Sequence, residues 1–530
     1  MRLKLKPYIQ PFEKVLAIKE LEGLIGSPIK QSFSDGWLTV PEVAESAEDI
    51  KSRLAYWERV RTDDGSEDYT LQVLREATAS VVRNGVSLAE IRSCLPFRQK
   101  VPVANRRVLR YGSHGIHEYR GKFFPQLVVS LMNWAGLSRG SIVVDPMCGS
   151  GTTVLEGLLH GMNAYGLDLN PLSVFMAKVK ADIVLQSSEE ISVDYEAVRE
   201  ALLSNRIPRL PSSWFGTLDQ SDQEYLGGWF SPQALQDMNS IMAVIETTVA
   251  SDTIKSFMRL ALSNVLRKVS WQKEEDLRVR REVREDIEID VIRDFLEELG
   301  RSVRLVLAFL RQEGTLETGH ATVLRGDARE ANQVFSAIGG QVDAIITSPP
   351  YATALPYLDT DRLSLVFFKL LTRKQIKLAD HAMIGNREIS EKERRGLWAQ
   401  LDSARDVLPG RIIALIQRIS SLNDEYPVGF RRKNLPSLLL KYFLDMRLAL
   451  RSMHDLLREQ GVAYVVIGNN QTTAGGEKVL IDTINLLAEV AEAVGFAIVD
   501  TISMEMLASR DIFKRNAINA EIILCLKRSS

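Results

Sequence analysis

From Ser141 onward the chain repeats one unit: a short apolar run that ends at an acid, a tight connection, then a helix. "SIVVD" (Ser141 to Asp145) is followed by "PMCGSGTT", and "TTVLEGLLHG" then has helical spacing and a glycine stop. "NAYGLDLNP" is a second run closed by an acid, and "PLSVFMAKVKA" opens a helix with proline in its first turn. Strands alternating with helices of this length specify a parallel, doubly wound α/β sheet. Few other folds accept the pattern.

The alternation is interrupted twice. Residues 183–317 are helical in pattern, with long amphipathic stretches in "SDTIKSFMRLALSNVLRKVSW" and "DVIRDFLEELGRSVRLVLAFLRQ". Strands resume at "HATVLRGDA" and "VDAIITSPPY", which fall in 318–370. A polar insert, 371–434, precedes the last part, 435–530, which holds the strand "VAYVVIGNN" and the final strands "FAIVDTISM" and "AEIILCLKR". The short polar link between those two predicts antiparallel neighbours, for seven strands in all. Residues 105–182 carry the first two strands, and 1–104 read as a helical region broken by "RTDDGSED".

Composition narrows the function classes. With 530 residues, 45% hydrophobic and 25% charged, the chain suits a soluble protein with a large core. It has no apolar run long enough for a membrane span, and its N-terminus does not read as a signal peptide. Cys94, Cys148 and Cys525 are far apart, so a disulfide framework and a zinc site are not expected, and a reducing cytoplasm is. His114 and His117 have metal-ligand spacing, but no further clustered His or Cys supports a metal. The net charge of −2 means that any nucleic-acid contact must come from local patches. Three stand out: Asn105 to Lys122, Arg278 to Asp286, and Gly429 to Arg447.

Asp145-Pro-Met-Cys-Gly149-Ser-Gly151 puts an acid at a strand end and two glycines before a helix N-terminus, where backbone can approach a ligand. The acid would repel a pyrophosphate and suits an amino-bearing ligand. Asp168 closes the next strand, where an acid can accept bonds from ribose hydroxyls, and Asp327 closes the third. Three such acids describe a nucleoside pocket at the C-terminal edge of the sheet. The fourth strand ends in Thr347-Ser348-Pro349-Pro350-Tyr351.

"VVDPMCGSGTT" paired with "TSPPY" resembles the class I S-adenosylmethionine methyltransferases that modify exocyclic amines of DNA bases. "HEYRGKFFPQL", "RLSLVFF" and "VAYVVIGN" add to the resemblance, which covers about Gly112 to Arg528 apart from the inserts. It implies a seven-stranded Rossmann-like sheet and S-adenosyl-L-methionine as cofactor. It implies cofactor contacts at Phe123, Phe124, Pro125, Asp145, Gly149, Gly151, Thr152, Asp168, Asp327 and Thr347. It also implies catalysis by Ser348, Pro349, Pro350 and Tyr351. Ser348 and the Pro349 carbonyl would accept hydrogen bonds from the target amine, freeing its lone pair. Tyr351 would stack on the base, which must first leave the duplex.

In this family a serine before the proline pair goes mostly with cytosine N4, so that amine is favoured. Adenine N6, then guanosine N2 in tRNA, then an inactive DNA-binding subunit remain as alternatives. The implied partners are double-stranded DNA with a flipped base and a restriction endonuclease or other defence component. Arg431, Arg432 and Lys433 in "GFRRKN" are the expected phosphate contacts.

Overall fold

The computed structural model describes residues 1–30, 33–40, 46–93, 107–119, 121, 123–208, 213–273, 280–283, 289–352, 357–425, 427–505 and 517–529. Cys94, Arg120, Lys122 and most of the Arg278–Asp286 patch lie outside them.

The alternating pattern folds as expected. Seven strands form the main path of an eight-stranded sheet: β1 (Ile142–Asp145), β2 (Asn163–Asp168), β3 (His320–Arg325), β4 (Val342–Thr347), β5 (Leu457–Ala474), β6 (Phe496–Glu505) and β7 (Ala517–Arg528). Their spatial order is β3-β2-β1-β4-β5-β7-β6. The pairs β1–β2, β2–β3, β1–β4 and β4–β5 are parallel. β7 runs antiparallel to both β5 and β6. The C-terminal ends of β1 to β5 therefore share one edge, and the chain reverses direction across it between β1 and β4. The eighth strand, Glu477–Ile481, is a hairpin return on β5 that the alternation alone does not separate.

Helices cover both faces because the central strands are apolar on both sides. Val143, Val144, Ala344, Ile345 and Ile346 are fully buried. Helix α1 (Thr152–Leu159) follows the glycine loop, and α2 (Pro171–Ile183) follows β2. The helices of 183–317 pack onto α1 and α2 in one apolar cluster that includes Leu155, Met176, Phe257 and Phe309. After β4 come α3 (Tyr357–Phe367) and α4 (Arg373–Ala382), then the long α5 (Phe430–Leu456).

Two expectations need correction. Residues 1–104 are not simply helical: they hold a five-stranded antiparallel sheet, with Arg2–Leu5 at its centre, flanked by helices. Its strands are two to five residues long, too short to leave a clear alternation. "RTDDGSED" is the turn of its last hairpin. This region packs on the helix Pro125–Trp134, where Asn133 Nδ2 reaches the fully buried Glu20 at 3.1 Å. The polar insert also does not run to residue 434. Helix α5 starts at Phe430 and carries Pro436 inside it, so the basic residues occupy a helical first turn.

Candidate active site

The glycine loop is shaped by the acid of the neighbouring strand. Asp168 Oδ2 accepts from the Gly149 amide at 2.9 Å and Oδ1 from the Asn170 amide at 2.8 Å. Asp145 Oδ1 accepts from the Met147 amide at 3.1 Å. Gly149 has φ +49°, and a Cβ there would lie 2.6 Å from the Tyr119 hydroxyl. Gly151 has φ +79°, and its Cβ would meet Ala177 at 2.6 Å, so α1 and α2 approach closely only because it is glycine.

Facing this loop is the end of β4. Ser348 Oγ donates to the Val466 carbonyl on β5 at 3.0 Å. The Pro350 carbonyl accepts from the buried Tyr442 hydroxyl of α5 at 3.0 Å. Tyr351 donates from its hydroxyl to Glu521 Oε1 on β7, and its ring lies against Gly468. The two prolines are thus anchored from β5, β7 and α5 together.

Loop and strand end enclose a cavity of about 610 Å³, open to solvent, lined by Tyr119, Asp168, Asp327, Ser348 and Pro350 among others. The topology thus unites residues far apart in sequence, from Tyr119 to Ile384. Of the expected site residues, Asp168, Asp327, Ser348 and Pro350 line it, whereas Phe123, Phe124, Pro125, Asp145, Gly149, Gly151, Thr152, Thr347, Pro349 and Tyr351 are not part of the lining. The two phenylalanines pack on the core, and Pro125 opens a helix. Their neighbour Tyr119 takes the place beside Gly149.

Asp327 lies two residues past β3 and caps the short turn Ala328–Glu330. Arg329 engages both of its oxygens and also bonds Asp445 of α5 at 2.6 Å. Neither Arg329 nor Asp445 was legible as a site residue. The pair is separated by 116 positions and has no local motif. Tyr442 and Glu521 were missed for the same reason. His114 Nε2 lies 2.7 Å from Glu156 Oε1, behind α1, and His117 Nδ1 lies 2.7 Å from the Glu118 carbonyl.

Burial pushes the Asp145 carboxyl up to about 7, with Thr347, the Met147 amide and Thr153 acting against it. Burial also pushes Asp168 up to about 6, against the amides of Asn170 and Gly149. Both values exceed that of an unfolded aspartate, about 3.9. The folded chain therefore holds more protons than the unfolded chain in this range, and stability falls as pH rises through it. Asp145→Asn is expected to raise the melting temperature relative to wild type by an increment that grows from pH ~4 to pH ~7. Melts across that range check it; an increment independent of pH would contradict burial of the Asp145 carboxylate as its cause.

The residues present fit S-adenosylmethionine. Carboxylates at adjacent strand ends, a positive-φ glycine loop beside them, and an open cavity lined by Asp168 and Asp327 stand together. Among the described residues no helix is long and apolar enough to cross a membrane.

Residues 117–277 match a family model described as UPF0020, "RMKL-like, methyltransferase domain". The Type II methyltransferase M.MvaI of Kocuria varians is 27% identical over 376 residues, covering 67% of this chain and 77% of that protein. The Type II methyltransferase M.BsoBI of Geobacillus stearothermophilus is 25% identical over 301 residues, covering 51% and 56%. The solved structure of TrmN from Thermus thermophilus aligns at 12% identity over 99% of this chain and 98% of its own, with a TM-score of 0.30, too distant for inference. The strand order is that of a Rossmann-like α/β sheet, part of the chain matches a methyltransferase-domain model, and two thirds of its length is similar to a Type II methyltransferase.

Proposed function

We propose that the chain transfers a methyl group from S-adenosylmethionine to an exocyclic amine of a DNA base, cytosine N4 in preference to adenine N6. The observation that carries this reading is the Ser348 hydroxyl. Its proton is committed to the Val466 carbonyl, so its lone pairs are left to accept a hydrogen bond. An aromatic amine is a poor nucleophile because its lone pair is delocalised into the ring. Acceptors at Ser348 and the Pro349 carbonyl draw its hydrogens out of the ring plane and localise that lone pair. The anchors at Tyr442 and Glu521 hold the loop in place before the base arrives.

Tyr351 offers a ring face for a base taken out of the stack. S-adenosylmethionine would be held by Asp145, Asp168, Asp327 and the Gly149–Gly151 loop and would supply an electrophilic methyl group. The names of the relatives, Type II methyltransferases, support the DNA reading, and a restriction–modification role with a cognate endonuclease in the cytoplasm is part of the proposal. Serine at position 348, rather than a carboxylate or amide, is what favours cytosine.

The test is transfer of labelled methyl from S-adenosylmethionine to purified DNA and, separately, to tRNA. Label in tRNA alone would overturn the reading. For strand binding, Arg431, Arg432 and Lys433 are exposed in the first turn of α5, which holds no acidic residue of its own, and Arg431 pairs with Glu388 at 3.5 Å. The double variant Arg431→Ala, Arg432→Ala is expected to lower the dependence of log K on log salt by up to ~1.8. An unchanged slope in a filter-binding titration would remove these residues from the interface.

A further inference from the structure

A second cavity, used by no step of the transfer, lies beside the first. It encloses about 1200 Å³ with its open mouth and shares the wall Met383–Ile384 with the reaction cavity. Arg329 and Lys441 hold that wall, donating to the Ala382 carbonyl at 2.9 Å and the Met383 carbonyl at 3.3 Å. On the other flank Glu388, also in the lining, pairs with Arg431 at 3.5 Å. The cavity therefore lies between the catalytic loop and the basic turn of α5.

Its lining brings Arg362, Arg373, Lys377 and Arg387 together. Three carboxylates share the space: Asp359, Asp380 and Glu388. Asp359 is taken up by Arg362 at 3.1 Å, and Glu388 by Arg431. Among the described residues the Arg373 and Lys377 side chains make no ion pair, and Asp380 shares the lining with them. The Arg373 guanidinium lies over the Tyr225 ring at 5.2 Å, which orients its plane.

Asn386 adds an independent observation. It is 9% exposed, and its Oδ1 accepts from the Glu388 amide at 3.0 Å. Asn386 lines the cavity, and its Nδ2 is buried without a hydrogen-bond partner among the described residues. A buried donor left unpaired costs stability, and a ligand that accepts from it recovers that cost. A planar guanidinium, an ammonium and an amide donor around one space suit a phosphate group. A strand running from the catalytic loop to Arg431 would bring one there.

We propose that this cavity binds a backbone phosphate of the nucleic-acid strand, beside the flipped nucleotide, through Arg373, Lys377 and the Asn386 amide. The proposal rests on the reading of the chain as a DNA methyltransferase. The test is a fluorescence-anisotropy titration of duplex DNA, with S-adenosylhomocysteine present, between about 50 and about 200 mM salt. The double variant Arg373→Ala, Lys377→Ala is expected to lower the salt slope by ~0.9, one phosphate contact. Asn386→Asp keeps the acceptor for the Glu388 amide and replaces the donor by an oxygen. It is expected to weaken DNA binding about tenfold and, because it buries a carboxylate, to lower the melting temperature, with S-adenosylhomocysteine affinity retained.

Wild-type slope and affinity in both variants would overturn the proposal and leave the functional reading intact. A wild-type chain that binds no duplex would overturn both. If inorganic phosphate raises the melting temperature of the wild type but not of the double variant, and the DNA slope is unchanged, the site takes free phosphate and the strand assignment is wrong.

Discussion

Ser348→Ala is expected to lower the rate of methyl transfer by roughly 10²–10³-fold while leaving S-adenosylmethionine affinity within about twofold. Ser348 lines the cavity, its hydroxyl is fixed by the Val466 carbonyl, and no other residue of the catalytic loop with a side-chain oxygen is in that lining. Alanine removes the acceptor that localises the amine lone pair. It also leaves the Val466 carbonyl without this donor, which costs on the order of 1–3 kcal/mol if water cannot replace it. Comparing the melting temperature with kcat separates the two effects. A variant that melts lower but turns over at the wild-type rate would assign Ser348 to structure alone.

Gly149→Ala is expected to weaken S-adenosylmethionine binding by about 10–100-fold, with the fold retained. Two costs arise. An L-residue at φ +49° pays on the order of 1 kcal/mol. The new methyl would also lie 2.6 Å from the Tyr119 hydroxyl and 2.8 Å from its ring carbons, so Tyr119 must move. The backbone strain is present with and without the cofactor and lowers stability; the displacement of Tyr119, which lines the cavity, is what lowers affinity, and about 1.4 kcal/mol of it corresponds to tenfold. The companion variant Tyr119→Ala removes the obstacle. Gly149→Ala in that background should lose less affinity than in the wild type, as calorimetric titration would measure. Equal losses in the two backgrounds would remove steric contact with Tyr119 as the cause.

How much of this was legible in the sequence depends on the range of the interaction. "SIVVDPMCGSGTT" and "VDAIITSPPY" are contiguous, and their strands, loops and terminal residues can be read directly because apolar runs and glycines act locally. The antiparallel pairing of β6 and β7 was also readable, because a short link leaves little choice. Tyr442, Asp445 and Glu521 were not. Each reaches the site across 90 or more positions, from a helix or strand whose own pattern is satisfied without it. Asp327 was readable as a strand-end acid, but its ion pair with Arg329 was not. The N-terminal sheet was missed because alternation over two to five residues does not rise above the helical background around it. The start of α5 was placed late because Pro436 reads as a first-turn proline, although it lies one turn inside the helix.

Nucleoside mass spectrometry of genomic DNA from cells expressing the chain, beside cells expressing Ser348→Ala, tests the central claim most directly. N4-methylcytosine that appears with the intact chain and not with the variant is the expected result. DNA without any methylated exocyclic amine, from cells in which the folded chain accumulates and binds S-adenosylmethionine, would contradict it.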